Sequence, residues 1–294
     1  MVPSRPLRFG IKTAQLHATT DGLLEVWQAA DALPTFEHAW LNDHLLAWRD
    51  NVAAPCLEGW TLLAALAAQT RRLRVGIMAT ANTFRHPALL AKMAATVDIL
   101  SSGRLNFGIG TGWSEREHRA YGIPLPPPGE RIRRLDEACE LIRQLWTEPV
   151  VNFQARYYQL EAAYCEPKPL QKPHPPFAIG AEGEQALRVV ARHADIWDCS
   201  VDSPEAYRDK SNLVENYCAA IGRDPTTIER SRHISVDASD LDAARAETRA
   251  FIQVGVTHFI FHVPVPDVTG TLARLAEQVA EPLRAEHQAV TRGG

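Results

Sequence analysis

The stretch Leu73–Gly112, LRVGIMATANTFRHPALLAKMAATVDILSSGRLNFGIGTG, decides the fold. Its opening, Leu73–Thr80, is a short apolar and β-branched run, which reads as a strand. Ala88–Leu100 then reads as a helix, with Pro87 pre-set for its first turn and Gly103 just past its end. Arg104–Gly110 returns to a strand. A strand, a helix and a second strand in this order form a βαβ unit with parallel pairing.

The alternation continues outward from this unit. Upstream, Leu7–Lys12 reads as strand, Leu23–Leu33 as helix, Glu37–Asn42 as strand and Glu58–Thr70 as helix. Downstream, Ile132, Leu135, Cys139, Ile142 and Trp146 step by three and four residues onto one helical face. Strands over Pro176–Gly180, Asp195–Cys199, Glu229–Val236 and Val256–Val263 precede helices over Glu184–His193, Pro204–Ile221, Leu241–Gln253 and Leu272–Leu283. Eight such units predict an α/β chain closed into a (β/α)8 TIM barrel, with residues 1–294 as one domain. Two segments exceed a minimal barrel. One is the turn Pro124–Gly129; the other is an insertion after strand and helix four, roughly 147–175, with Pro149, Pro167, Pro169, Pro173 and Pro175. The second is long for an idle connection and is expected to fold over the mouth as a lid or shoulder.

Composition excludes several classes. Hydrophobic residues make up 46% and charged residues 22% of 294 residues, an ordinary globular balance. The net charge of -4 gives no basic footprint for nucleic acid. No apolar run approaches the roughly 20 residues of a membrane span, and the first residues carry no apolar signal core. Cys56, Cys139, Cys165, Cys199 and Cys218 are odd in number and form no C-x-x-C pair, so a disulfide framework or structural zinc is not expected. These features lead to the expectation of a cytoplasmic protein.

Barrel enzymes place their chemistry on the loops that follow the strands. Asp43-His44 follows strand two, with Trp48 four residues on; imidazole is the side chain best suited to exchange protons near neutral pH. The alternative is a strand-end polar pair beside a core indole. Ala79-Thr80-Ala81 ends strand three with small residues that let backbone approach a flat ligand, while Arg85 and His86 meet an anion or cap the next helix. Gly108-Ile109-Gly110-Thr111-Gly112-Trp113 follows strand four. Its third glycine comes too early for a dinucleotide fingerprint, which leaves either a planar ligand or tight packing. Gly180-Ala181-Glu182-Gly183 enters a helix and offers backbone N–H groups to a phosphate, against the charges of Glu182 and Glu184. Cys199 reads as a buried thiol. His233, His258 and His262 lie on or near the last two strands, and no metal site is expected from them.

Together, WLNDHLLAW (40–48), CLEGWTLLAALAAQT (56–70), TFRHPALLAKMAATVDILSSGRLNFGIGTGW (83–113), EREHRAYGIP (115–124), PKPLQKPHPPFAIGAEGE (167–184) and LRVVARHADIWD (187–198) resemble the luciferase-like monooxygenase family, and within it the branch that uses coenzyme F420. The resemblance implies a (β/α)8 barrel with an insertion and a flavin or deazaflavin ring across its mouth. It implies hydride transfer between F420 and a small organic substrate not yet identified, and often a non-proline cis peptide within Met78–Thr80. It implies that Met78, Ala79, Thr80, Gly110, Thr111 and Gly112 shape the ring pocket, that Gly180, Ala181, Glu182 and Gly183 take the phosphate, and that Trp48 and Trp113 line the substrate side. The D-H-x-x-x-W spacing of Asp43, His44 and Trp48 resembles deazaflavin-dependent sugar-phosphate dehydrogenases, in which the His transfers a proton. Those relatives carry an acid after T-G, where this chain has Trp113, and commonly Gly-Gly where it has Gly180-Ala181. An FMN-dependent monooxygenase using oxygen and a non-catalytic flavin- or deazaflavin-binding protein are the alternatives. Relatives are often homodimers.

Overall fold

Residues with alternating inward and outward side chains can close a sheet on itself only if the inward set fills the interior. The computed structural model, which describes residues 5–47, 51–267 and 270–293, shows how this chain does so. In chain order the strands are β1 (Arg8–Lys12), β2 (Phe36–Leu41), β3 (Arg74–Ile77), β4 (Thr80–Ala81), β5 (Leu105–Gly110), β6 (Val151–Gln154), β7 (Gln159–Ala163), β8 (Phe177–Gly180), β9 (Ile196–Asp198), β10 (Glu229–Ser235) and β11 (His258–His262). All but β6 and β7 run parallel in the order β3-β2-β1-β11-β10-β9-β8-β5-β4, and β3 also pairs with β5 to close the barrel. Since β4 continues β3, the barrel has eight staves, as the alternation predicts.

The helices are α1 (Thr20–Ala32), α2 (Gly59–Gln69), α3 (Pro87–Leu100), α4 (Glu115–Tyr121), α5 (Pro128–Thr147), α6 (Glu184–His193), α7 (Pro204–Ala220), α8 (Leu241–Ile252), α9 (Thr271–Leu275) and α10 (Glu281–Gly293). Four expectations change in detail. Strand three is not continuous: it breaks at Met78–Ala79, a cis peptide bond within the stretch where the resemblance implies one. The turn Pro124–Gly129 ends sooner, because Pro128 already begins α5. The short α4 precedes it. The last helix runs on through Pro282, which has no N–H to give; a π turn over Ala276–Ala280, closed by Glu281 N–H to the Ala276 carbonyl, precedes it.

Segment 147–175 contains the antiparallel hairpin β6–β7. Its Tyr158 hydroxyl accepts from Asn82 Nδ2 at 3.2 Å, and its ring meets His86 edge-on with centroids 5.5 Å apart. The hairpin therefore flanks the barrel mouth, and His86 is the N-cap of α3, accepting from Ala88 N–H. The capping reading of that histidine holds.

Inside the barrel, Trp40, Met78, Ala178, Ile196 and Ile260 form the apolar middle. Below them His38 and His258 stack with ring centroids 3.8 Å apart. Burial holds His38 well below the usual imidazole range and His258 at about 3, so two uncharged rings stack without repulsion. Glycines make room for these groups. A Cβ on Gly76 would lie 2.6 Å from the Trp40 ring, and one on Gly108 would lie 1.8 Å from the Ile77 carbonyl oxygen. Gly108 thus serves packing between β5 and β3.

Substitution Gly108→Ala is expected to cost about 3 kcal/mol or more, since backbone rather than a flexible side chain must shift. Gly180→Ala, whose Cβ meets nothing within 4 Å, is expected to change stability by less than about 0.5 kcal/mol. Urea unfolding of the two variants checks the contrast.

Candidate functional site

Above the apolar middle, the C-terminal ends of the strands surround a cavity of about 270 Å³. It is lined by Lys12 of β1, Asn42, Asp43 and His44 after β2, Met78, Ala79, Thr80 and Ala81 at the break of strand three, and Phe84 beyond it. Gly110 of β5, Thr111, Gly112, Trp113 and Ser114 after it, Glu117 of α4 and Gly180 of β8 complete the wall. The cavity therefore gathers most of the residues the sequence singled out. Ala181, Glu182 and Gly183 are not among its lining residues; Glu182 and Gly183 are exposed, and Gly183 caps α6 without a side-chain hydrogen bond. Trp48 lies outside the described residues.

His44 is the centre of the site. Its Nδ1 lies 2.9 Å from Glu117 Oε2, and its ring meets Trp113 edge-on with centroids 5.9 Å apart. Glu117 Oε1 accepts from Leu45 N–H at 2.6 Å and Leu46 N–H at 3.1 Å. Burial would raise this carboxyl, but the His44 contact and the backbone donors outweigh it and hold the group at about 2. An ionised carboxylate only accepts, so Nδ1 carries the hydrogen and Nε2 is the basic nitrogen. Glu117 was not singled out by the sequence reading, since 73 residues separate it from His44. A signal existed: Ser114-x-x-Glu117 has the spacing of a capping box, and the Ser114 side chain does accept from Glu117 N–H, but the Glu117 carboxylate turns to His44, Leu45 and Leu46 instead of back to the Ser114 N–H.

Asp43, beside His44 on the same loop, is held by neighbouring elements. Its Oδ2 accepts from Ala81 N–H and from Arg85 Nη1, each at 2.8 Å, while Oδ1 accepts from Arg85 Nη2 at 2.9 Å. Arg85, a candidate anion binder, is thereby committed to Asp43 and Glu58. Both groups act as anchors.

The opposite wall also carries charge. Lys12 Nζ donates to the Met78 carbonyl at 2.6 Å. Burial pulls the ammonium down to about 8, against the attraction of Asp198. Burial likewise pushes Asp198 up to about 6, opposed by Lys12 and by Ser231 Oγ, which donates at 3.1 Å. His233 Nδ1 and His262 Nε2 lie 2.9 Å apart. Burial and then Lys12 depress both, His262 to about 4, so both rings are neutral at pH 7. His258 and His262, four residues apart on one strand, are separated by about 13 Å and cannot share an ion. Among the described residues no group of three side chains is arranged to hold a metal.

The cavity suits a flat, polar-edged ligand. Among the described residues Thr80 Oγ1, on this wall, is buried without a hydrogen-bond partner, which is costly unless a ligand supplies one. Gly110 and Ala79 leave bare backbone at the wall; a Cβ on Gly110 would already touch Ala79 at 3.4 Å. Gly112 has φ +73°, and a Cβ there would lie 2.2 Å from Thr83 Oγ1.

Residues 7–292 match the luciferase-like monooxygenase family. The chain is 32% identical over 257 residues to an F420-dependent glucose-6-phosphate dehydrogenase of Microbacterium testaceum (strain StLB037), covering 86% of this chain and 75% of that one. It is 32% identical over 242 residues to an F420-dependent hydroxymycolic acid dehydrogenase of Mycobacterium tuberculosis (strain ATCC 25618 / H37Rv), covering 81% and 65%. An F420-dependent secondary alcohol dehydrogenase, solved with an F420-acetone adduct, has the same fold: TM-score 0.84 at 18% identity, covering 95% of this chain and 99% of that one.

The depressed Glu117 carboxyl makes a stability prediction. Its folded value lies below the ordinary 4.5, so its contribution is full above that pH and is lost as pH falls toward about 2. Glu117→Gln is expected to cost about 2 kcal/mol at pH 7, and the gap to the unsubstituted protein should narrow between pH 4.5 and 3. Denaturant unfolding across that range measures it; a constant gap would refute the depressed Glu117 carboxyl.

Proposed function

The chain belongs to the luciferase-like monooxygenase family, and we propose that it is an oxidoreductase that transfers a hydride between coenzyme F420 and a hydroxyl-bearing carbon of a small organic substrate, or the corresponding carbonyl. The observation that carries this reading is the His44–Glu117 pair on the wall of a cavity that also presents bare backbone, Lys12 and the Thr80 hydroxyl. The similarity to two deazaflavin-dependent dehydrogenases supports the cofactor. Since those two act on unlike molecules, they do not select the substrate.

The backbone of Met78–Thr80 and Gly110–Gly112 would hold the ring, with Thr80 Oγ1 offered to its polar edge. When bound, the deazaflavin supplies a carbon that accepts or gives two electrons as hydride. The chain's own work is to orient the substrate and move the proton. In the oxidising direction Nε2 of His44 takes the hydroxyl proton, and in the reducing direction it returns it. Glu117 fixes the ring and favours its protonated form, as a carboxylate does for a base it orients. Asp43 positions His44 from the adjacent residue, with Arg85 holding it in turn. Trp113, 67% exposed, offers an indole at the rim for the substrate. This reading carries the expectation of a cytoplasmic homodimer, which light scattering on the purified protein tests.

His44→Ala is expected to lower turnover by about 10²–10⁴-fold and leave F420 affinity within about threefold. Fluorescence titration with F420 and with FMN tests the cofactor. F420 tighter by tenfold or more, about 1.4 kcal/mol, supports the reading. Preference for FMN moves the protein to oxygen-dependent chemistry, and binding of neither overturns it.

A further inference from the structure

Lys12 is a buried ammonium whose bonding is incomplete. Three N–H donors sit on Nζ, and among the described residues one is used, by the Met78 carbonyl. No carboxylate oxygen of the described residues lies within the 4.0 Å of an ion pair. Asp198 attracts Lys12 from further off and is itself held by Ser231. Alternation along β1 accounts for the position: Gly10 faces the interior against His38, so Lys12, two residues on, faces inward at the mouth. The remaining donors therefore belong to a cavity that Lys12 lines together with Met78, Ala79 and Gly110. A buried charge without its own partner is strongly unfavourable, so a group that brings negative charge or acceptor atoms into the cavity is what this wall fits.

We propose that Lys12 is a cofactor-binding residue that stabilises the charge acquired by the F420 ring, and so binds the reduced ring more tightly than the oxidised one. This rests on the hydride-transfer reading above. In the oxidising direction the substrate C–H bond breaks, and its hydrogen leaves with both electrons to form a C–H bond on the ring. The substrate O–H bond breaks, its proton goes to His44, and the C=O bond forms. The ring then carries one more negative charge than before, and His44 one more positive. Lys12 answers the first change as Glu117 answers the second. Neighbouring groups on β9, β10 and β11 do not compete for this part: His233 and His262 are uncharged at neutral pH, and Asp198 is anionic.

The test is to titrate the purified full chain with oxidised and with reduced F420, and to measure the midpoint potential of the bound coenzyme, for the unsubstituted protein, Lys12→Met and Lys12→Arg. Lys12→Met is expected to weaken the reduced form at least tenfold more than the oxidised form, which lowers the bound potential by about 30 mV for two electrons. Lys12→Arg, which keeps the charge, should restore most of the difference. If Lys12→Met does not fold, Lys12→Gln keeps a donor for the Met78 carbonyl, removes the charge and carries the same comparison. Equal weakening of both forms would make Lys12 a structural support and overturn the proposal while leaving the hydride-transfer reading intact. Failure of the unsubstituted protein to bind either form would remove that reading, and the role of Lys12 with it.

Discussion

The site depends on one buried carboxylate. Asp43 receives Ala81 N–H from β4 and both Nη groups of Arg85 from the loop beyond it. Arg85 reaches on to Glu58, which caps the start of α2. One anion thus ties the end of strand two, the broken end of strand three and the first turn of the following helix. The geometry is the bidentate fork that guanidinium and carboxylate form best. Removing Arg85 would leave Asp43 an uncompensated buried charge, at a cost of about 3–5 kcal/mol, whereas Arg85 without Asp43 would keep Glu58. His44 follows Asp43 directly, so the tie that secures the cavity wall also fixes where the imidazole paired with Glu117 begins.

Much of the fold was legible because barrel staves and their helices are set by local patterns. Pro87, Gly103 and the apolar run between them mark α3 almost to the residue. The break in strand three was less visible, because Met78 and Ala79 are as apolar as a continuous strand requires. The hairpin in 147–175 was hidden behind its prolines, and α4 is too short to show periodicity. For the candidate site, strand-end position singled out His44, Met78, Ala79, Thr80 and Gly110, which line one cavity. It did not find Glu117 or Lys12, since both matter through partners distant in sequence, at 73 and 66 residues. The inward parity of a lysine in an otherwise buried strand was the available signal for the second.

The glycines after strand four show how one motif serves several physical ends. Gly108 admits the Ile77 carbonyl and closes the barrel. Gly110 keeps the cavity wall to backbone, and Gly112 adopts a left-handed turn against Thr83. The tight-packing reading of this stretch holds for Gly108, while Gly110 and Gly112 stand on the cavity wall, where the planar-ligand reading requires them. Trp113 follows the T-G of this motif, and Glu117, four residues further on, brings a carboxylate to His44.

Hydride transfer separates charge that the ground state does not carry. A catalyst gains only from interactions stronger in the transition state than before it. Under the proposed hydride transfer, a carboxylate held ionised behind His44 and an ammonium left partly unbonded on the cavity wall would meet that condition together. In the proposed reaction the first would favour the imidazolium and the second the more negative, reduced form of the ring. Both are fixed in advance by backbone, Glu117 by the Leu45 and Leu46 N–H groups and Lys12 by the Met78 carbonyl. Little reorganisation then remains to oppose the step, which is the condition under which fixed charges in a buried site contribute most.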